Sequence, residues 1–263
     1  MSDTSPVPVP EPVIVVPPPI TIVTVIFTFE HIQKGYDRLL TVFEESIKQR
    51  MPNARLEVIR INPPKLVAQS TRHFAANTVK LTKWSEYIQS ATGPVIVADC
   101  DMMLLQDISD GFKYIQDIGY TVRTGVRPKI PVNGGLLFVN PTKGARKFFQ
   151  IWDNVNQAMF RDRAFHQPWR EKYAGMNQAG FGYLLEHPVK GVHLQPLPCA
   201  VYNACSEDWS TVDSKTKLVH CKSELRLAVL GRGCRQPRWM PIVKQWQKYD
   251  IDAERRRKES QKR

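Results

Sequence analysis

Asp99 and Asp101 stand one residue apart, directly after the apolar run Val95-Ile96-Val97-Ala98 and directly before Met102 and Met103. Apolar residues on both sides make this an odd place for surface charge. Two carboxylates at the end of a buried strand could share a hard divalent cation, which takes oxygen ligands and leaves room for phosphate oxygens. The plain alternative is a loop whose aspartates cap a helix. Far downstream His220 ends the stretch Leu218-Val219-His220. Taken alone, a histidine at a strand end is a packed or surface residue; with an Asp-x-Asp in the same chain it becomes a candidate third ligand.

These groups need a frame. Residues 20–29 are rich in β-branched and aromatic side chains and read as a buried strand. Tyr36, Leu39, Leu40, Phe43 and Ile47 then follow the spacing of an amphipathic helix. Residues 56–61 read as a second strand stopped by Pro63 and Pro64, and Phe74, Leu81, Trp84 and Ile88 line one side of a second helix. The run 95–98 is a third strand. Strand, helix, strand, helix, strand implies a parallel sheet with helices on its faces, and such sheets bind ligands at the carboxyl ends of their strands, where the aspartates lie. Further strands are expected at 120–125, 136–139, 192–197 and 217–221, and helices around Phe148, Trp152, Val155 and Met159 and over 177–186. The Pro- and Arg-rich stretch 231–241 reads as irregular wrapping.

Of the 263 residues 42% are apolar and 24% charged, which excludes a disordered or collagen-like chain and fits one domain. Seven of the first nineteen residues are proline, so 1–19 is expected to be an extended leader, with the domain over 20–250 and a basic tail over 251–263. The apolar run 13–29 is broken by Pro17, Pro18 and Pro19, so neither a membrane span nor a signal peptide is expected, and the expected location is cytoplasmic. Five cysteines at irregular spacings, none two residues apart, read as free thiols. A net charge of +12 favours anionic partners. Aromatic and basic residues do not interleave as they do in single-strand nucleic-acid grooves, so nucleic acid is not the expected partner.

Two enzyme classes place Asp-x-Asp after an apolar strand. Haloacid-dehalogenase-like phosphatases carry it on the first core strand with a Thr or Val two residues later; here it follows the third strand, Met103 takes that place, and no downstream acidic pair completes the site. The other class is the nucleotide-sugar glycosyltransferases of GT-A fold. Lys80-Leu81 with Trp84, Asp99-Cys100-Asp101, the segment from Asn133-Gly134-Gly135 to Pro141, Asn177-Gln178, Leu197-Pro198 with Tyr202-Asn203, and Val219-His220 occur in the order of that class's glycogenin-like, retaining branch. The chain resembles that branch over about 20–226.

The resemblance implies an α/β GT-A domain with a mixed, mostly parallel sheet, and transfer of a sugar from a nucleotide-diphosphate donor, taken as a UDP-sugar, to an acceptor hydroxyl not identified by the sequence. Asp99, Asp101 and His220 would hold Mn2+, or Mg2+, against the donor diphosphate. Lys80 would face the donor, where a helical lysine is otherwise solvated. Asn133 would bond sugar hydroxyls, or else belong to an ordinary turn before a strand. Gln178 matches the position beside the anomeric carbon, and Asn177 replaces the branch's aspartate. Thr28, Phe29 and Tyr36 fall where the nucleoside binds, or are core. The branch has a lysine six residues after the metal histidine, in a Gly-containing loop followed by Pro-Trp; here Arg226 has that spacing, Ser223 replaces the glycine and Pro-Trp is missing. These departures define the rival reading, a non-catalytic nucleotide-sugar or nucleic-acid binding protein of the same fold.

Overall fold

A computed structural model describes residues 18–28, 33–62, 69–123, 131–233 and 236–262. Most of the expected leader, Phe29 and Cys234 lie outside the described residues. The elements follow in chain order as β1 (Thr21–Phe27), α1 (Gln33–Arg50), β2 (Arg55–Ile61), α2 (Gln69–Ser90), β3 (Val95–Ala98), β4 (Met102–Leu104), β5 (Ile118–Val122), β6 (Val132–Val139), α3 (Lys143–Arg161), α4 (Arg163–Tyr173), α5 (Asn177–Glu186), β7 (Leu194–Pro198), α6 (Cys199–Tyr202), β8 (Leu218–His220), α7 (Ser223–Val229) and α8 (Met240–Ser260).

Six strands form the main sheet in the order β2-β1-β3-β6-β5-β7. Only β6 runs against its neighbours: β1 pairs in parallel with β2 and β3, β5 pairs in parallel with β7, and β6 is antiparallel to both β3 and β5. Strict alternation sorts the strands between two cores. Val23, Val25, Val95, Val97, Leu137 and Val139 face Trp84, Phe148, Trp152 and Phe181 of α2, α3 and α5. Ile22, Ile26, Ile96, Ala98, Leu136 and Phe138 face Leu40, Phe43 and Ile47 of α1. The opposite side of α1 meets Trp246 and Tyr249 of α8. Layers of helix on both sheet faces are why β3 can be apolar at every position.

Several elements differ from expectation, among them the short strand β4 and the helices α6 and α7, which no periodicity announced. The helix α4 contains Pro168, whose missing N–H and fixed φ hide it from a periodicity reading; Asp162 caps it by accepting from the backbone N–H of Ala164 and Phe165. Within the stretch expected to be irregular, residues 236–241 lead through a short 3-10 turn, Pro237–Trp239, straight into α8, which Pro241 permits by sitting in the first helical turn, where no N–H is required. That helix continues to Ser260, so the basic segment is its last turns, and Arg256 reaches back to the buried Glu45 of α1 at 3.0 Å. Cys100, Cys199, Cys205 and Cys221 are free and buried. Among the described residues no helix is long and apolar enough to cross a membrane.

Candidate active site

One edge of the sheet carries the carboxyl ends of β1, β3 and β5, and the amino end of the reversed strand β6. A cleft of about 880 Å³ opens there, walled by the end of β1, Tyr36, Lys80, the Asp99-Cys100-Asp101 turn, Asn133 to Gly135, the first residues of α5, and the segment from His220 to Arg226.

Two local devices assemble its centre. The β4–β8 ladder sets Met102 opposite His220, so the turn that bears Asp101 and the strand that ends in His220 meet directly. The second device is a break in the β5–β6 register: Tyr120 pairs with Leu137 but Thr121 pairs with Asn133, so Gly134 and Gly135 bulge away from β5. Gly135 instead accepts from the Asp99 N–H at 2.9 Å. Its missing side chain matters, because a Cβ there would fall 2.6 Å from His220 Cε1 and 2.9 Å from Asp99 Oδ2. Asn133 and its glycines are therefore strand and bulge rather than a turn before a strand.

One donor atom from each of Asp99, Asp101 and His220 lies within 4.8 Å of the others. His220 Nε2 stands 3.2 Å from Asp101 Oδ1 and 3.7 Å from Asp99 Oδ2. On the far side of the ring Nδ1 lies 3.2 Å from Asn203 Oδ1, and Asn203 is oriented by its own N–H donating to Thr121 Oγ1 at 2.9 Å. With the Nδ1 proton given to Asn203, release of the Nε2 proton leaves a lone pair aimed at the carboxylates, the arrangement a metal-ligating histidine needs. Two carboxylates and one such imidazole fit a divalent cation of the Mn2+ or Mg2+ kind.

Cations surround the pair. Lys80 Nζ is 2.7 Å from Asp99 Oδ1 and lies over the Trp84 ring. Arg226 donates from one terminal nitrogen to Asp101 Oδ2 at 2.5 Å and from the other to the Tyr36 hydroxyl at 3.0 Å. Burial pushes the Asp101 carboxyl up, but the charges and hydrogen bonds of His220 and Arg226 outweigh it and hold the group well below the usual carboxylate range. Burial lowers His220, and Asp101 more than reverses this, raising the imidazole to about 9. Burial also raises the Tyr36 phenol.

The other expected residues divide. Gln178, on the first turn of α5, accepts from Gly134 N–H at 3.2 Å and donates to the Tyr173 carbonyl at 2.8 Å, which fixes its amide at the cleft wall. Asn177 lines the cleft with both side-chain amide atoms buried and unpartnered. Asn133 is brought to the cleft, yet its amide already accepts from Gly135 N–H and donates to Cys205 Sγ. Thr28 is not brought there: its hydroxyl donates to Asn62 at 2.7 Å, on the β2 side. Ser223, the residue that stands where the resembled branch has glycine, adopts φ 49°, a left-handed conformation that glycine favours. Sequence reasoning missed Arg123 and the supporting role of Asn203. Arg123 falls inside the strand expected over 120–125, which in the structure ends at Val122, and Asn203 enters the sequence reading only as part of the Tyr202-Asn203 resemblance, since its support of His220 depends on contacts with residues remote in the chain.

Comparisons with known proteins fit this geometry. No curated protein matches the chain. The structure of a glycosyltransferase involved in the glycosylation of the major capsid of PBCV-1 superposes with a TM-score of 0.52 at 17% identity, covering 90% of this chain and 100% of that one, a likeness of fold. The profile of the nucleotide-diphospho-sugar transferases matches residues 68–226, which begins just before α2 and its Lys80, runs through both aspartates, and ends at the arginine that holds Asp101. Since that match spans more than half of the sequence and contains every residue of the charged centre, the chain belongs to the nucleotide-diphospho-sugar transferase family and is a glycosyltransferase of GT-A-like fold.

Proposed function

We propose that the protein transfers a hexose from a UDP-sugar to an acceptor hydroxyl with retention of anomeric configuration, using Mn2+ or Mg2+ held by Asp99, Asp101 and His220. The observation that carries this reading is the convergence of those three side chains, flanked by Lys80 and Arg226, at the strand ends of the cleft. Bound there, the ion would polarise the diphosphate and stabilise the departing nucleoside diphosphate more in the transition state than in the ground state.

The chain's own groups do the rest. Tyr36, with the end of β1, walls the nucleoside end. Arg226 and Lys80 supply fixed positive charge beside the aspartates, and Arg226 can clamp two phosphate oxygens with its planar fork. Asn203 keeps His220 in the ligating tautomer. Gln178 and Asn177 face the sugar, the first with a fixed amide and the second with an amide that still needs partners. Retention is favoured by the composition of the wall: among the described residues lining the cleft, Asp99 and Asp101 are the only carboxylates, so none stands free to activate the acceptor from the opposite face.

The test is release of nucleoside diphosphate from a panel of nucleotide sugars with Mn2+. A UDP-sugar should turn over, EDTA should stop it, and Asp101→Asn should lower the rate by roughly 100-fold or more. Turnover untouched by EDTA would overturn the metal assignment. Metal-dependent UDP binding without release from any sugar would favour the non-catalytic reading, for which Asn177 is the specific observation.

A further inference from the structure

We infer that Arg123 is a specificity determinant at the end of the cleft remote from Tyr36, where its guanidinium receives an anionic oxygen group, carboxylate or phosphate, carried by the transferred sugar or by the acceptor. The inference rests on the nucleotide-sugar reading above. Arg123 follows β5, and its N–H donates to the Pro131 carbonyl at 2.9 Å. In the sheet order β5 lies beyond β6, on the side away from β1 and β3. A donor with its nucleoside at Tyr36 and its diphosphate at the aspartates therefore extends its sugar towards Arg123.

Its side chain is only 14% exposed, yet Nε is buried and unpartnered. One terminal nitrogen meets Glu207 Oε1 at 3.3 Å; that carboxylate is 42% exposed and engages a single edge of the fork. Asp208 lies close enough to feel the Arg123 charge, but one of its oxygens accepts from the Cys205 N–H at 2.9 Å, and the adjoining residues 124–130 add Arg127 and Lys129 and no acidic residue. Arg123 also stands outside the charge balance at the aspartates, its own counter-charge being the half-exposed Glu207. Lys80 and Arg226 match Asp99 and Asp101, while a divalent ion and the two phosphates of a nucleotide sugar match each other. In the same cleft Asn177 offers an unpartnered amide, which can donate to an anion that a carboxylate would repel. A neutral hydroxyl could satisfy one N–H of Arg123; only an anionic group satisfies the planar fork and the charge together.

Calorimetry with Mn2+ present tests this in two arms. The donor arm compares UDP-glucuronate with UDP-glucose; the acceptor arm compares glucuronate and glucose 6-phosphate with glucose on the UDP-loaded protein. One arm should prefer its charged member by roughly ten-fold or more, and Arg123→Gln should reduce that ratio roughly 10- to 100-fold. Glu207→Gln frees Arg123 without removing it and should raise the ratio, which decides the matter if Arg123→Gln does not fold. If the wild type binds no UDP, the nucleotide-sugar reading itself fails. If UDP binds but neither arm prefers a charged member, or the preference survives Arg123→Gln, the inference is overturned.

Discussion

Asp101 is almost wholly buried, and its ionised form persists because His220 and Arg226 each face one of its oxygens. The site is thus a charge cluster whose spacing is set by the smallest residue in it. Gly135→Ala would force a Cβ against His220 and Asp99, so the variant should fold with a loss of about 1–3 kcal/mol and show a much larger loss of metal-dependent turnover. Denaturant titration beside Mn2+-dependent release checks both halves, and a variant with full turnover would mean the triad tolerates being spread. Ser223→Gly, at φ 49°, should stabilise by about 0.5–1 kcal/mol in the same titration. Arg226→Ala should weaken UDP far more than uridine, and Arg226→Lys should restore only part of the difference, because lysine brings the charge without the fork. Equal UDP binding by Arg226→Ala and wild type would remove this arginine from the phosphate site. Asp99 and Asp101 were legible in the sequence because carboxylates interrupt an apolar run, and His220 only through the Asp-x-Asp context and the family resemblance. Arg123 and Asn203 were not, because their significance comes from Glu207, His220 and Thr121, which meet them only after folding.

Elements were legible wherever burial imposes a period. The strand at Val95–Ala98 and the helix at Asn177–Glu186 coincide with the expected ranges, and the helices α1, α2 and α3 follow their apolar stripes. The reversed sense of β6 was not written in any local pattern, since a strand buried on both faces reads the same in either direction. In α8 proline and arginine content concealed a helix whose stability comes from what it docks against. Trp246 and Tyr249 fill the third core, and Arg256 supplies a partner for Glu45, which is 2% exposed. Arg256→Ala should cost about 1–2 kcal/mol, since Glu45 stays buried with one partner fewer. A chain ending at Asp250 loses the same contact, along with the Gln49 bond to Asp252 at 3.1 Å. Its melting temperature should therefore fall by several degrees, roughly 2–4 °C for each kcal/mol. An unchanged melting temperature would show that the last turns of α8 contribute nothing to the domain.

For the molecule as a whole, the net charge of +12 and a cleft whose cations outnumber its two carboxylates make an anionic ligand a stabiliser of the fold. UDP with Mn2+ at a hundred times its dissociation constant should add about 2.7 kcal/mol, a rise of roughly 5–10 °C in melting temperature that EDTA abolishes. The same rise in EDTA would mean the nucleotide is held by the arginine and lysine alone. The β4–β8 ladder has a consequence of another kind, in the time during which the chain is made. Arg226 and Asp101 are 125 residues apart, and His220 is brought to the aspartates by that short ladder and by the Cys221 N–H, which donates to the Asp101 carbonyl at 2.8 Å. Synthesis runs from the amino end, so both aspartates leave the ribosome long before their histidine and arginine exist. A nascent chain carries two carboxylates one residue apart with neither of those partners, so the proposed three-ligand site is incomplete. If turnover needs the metal held as proposed, competence arrives in one late step, when the strand Leu218–His220 closes on Met102–Leu104, and until then the growing polypeptide would not spend nucleotide sugar.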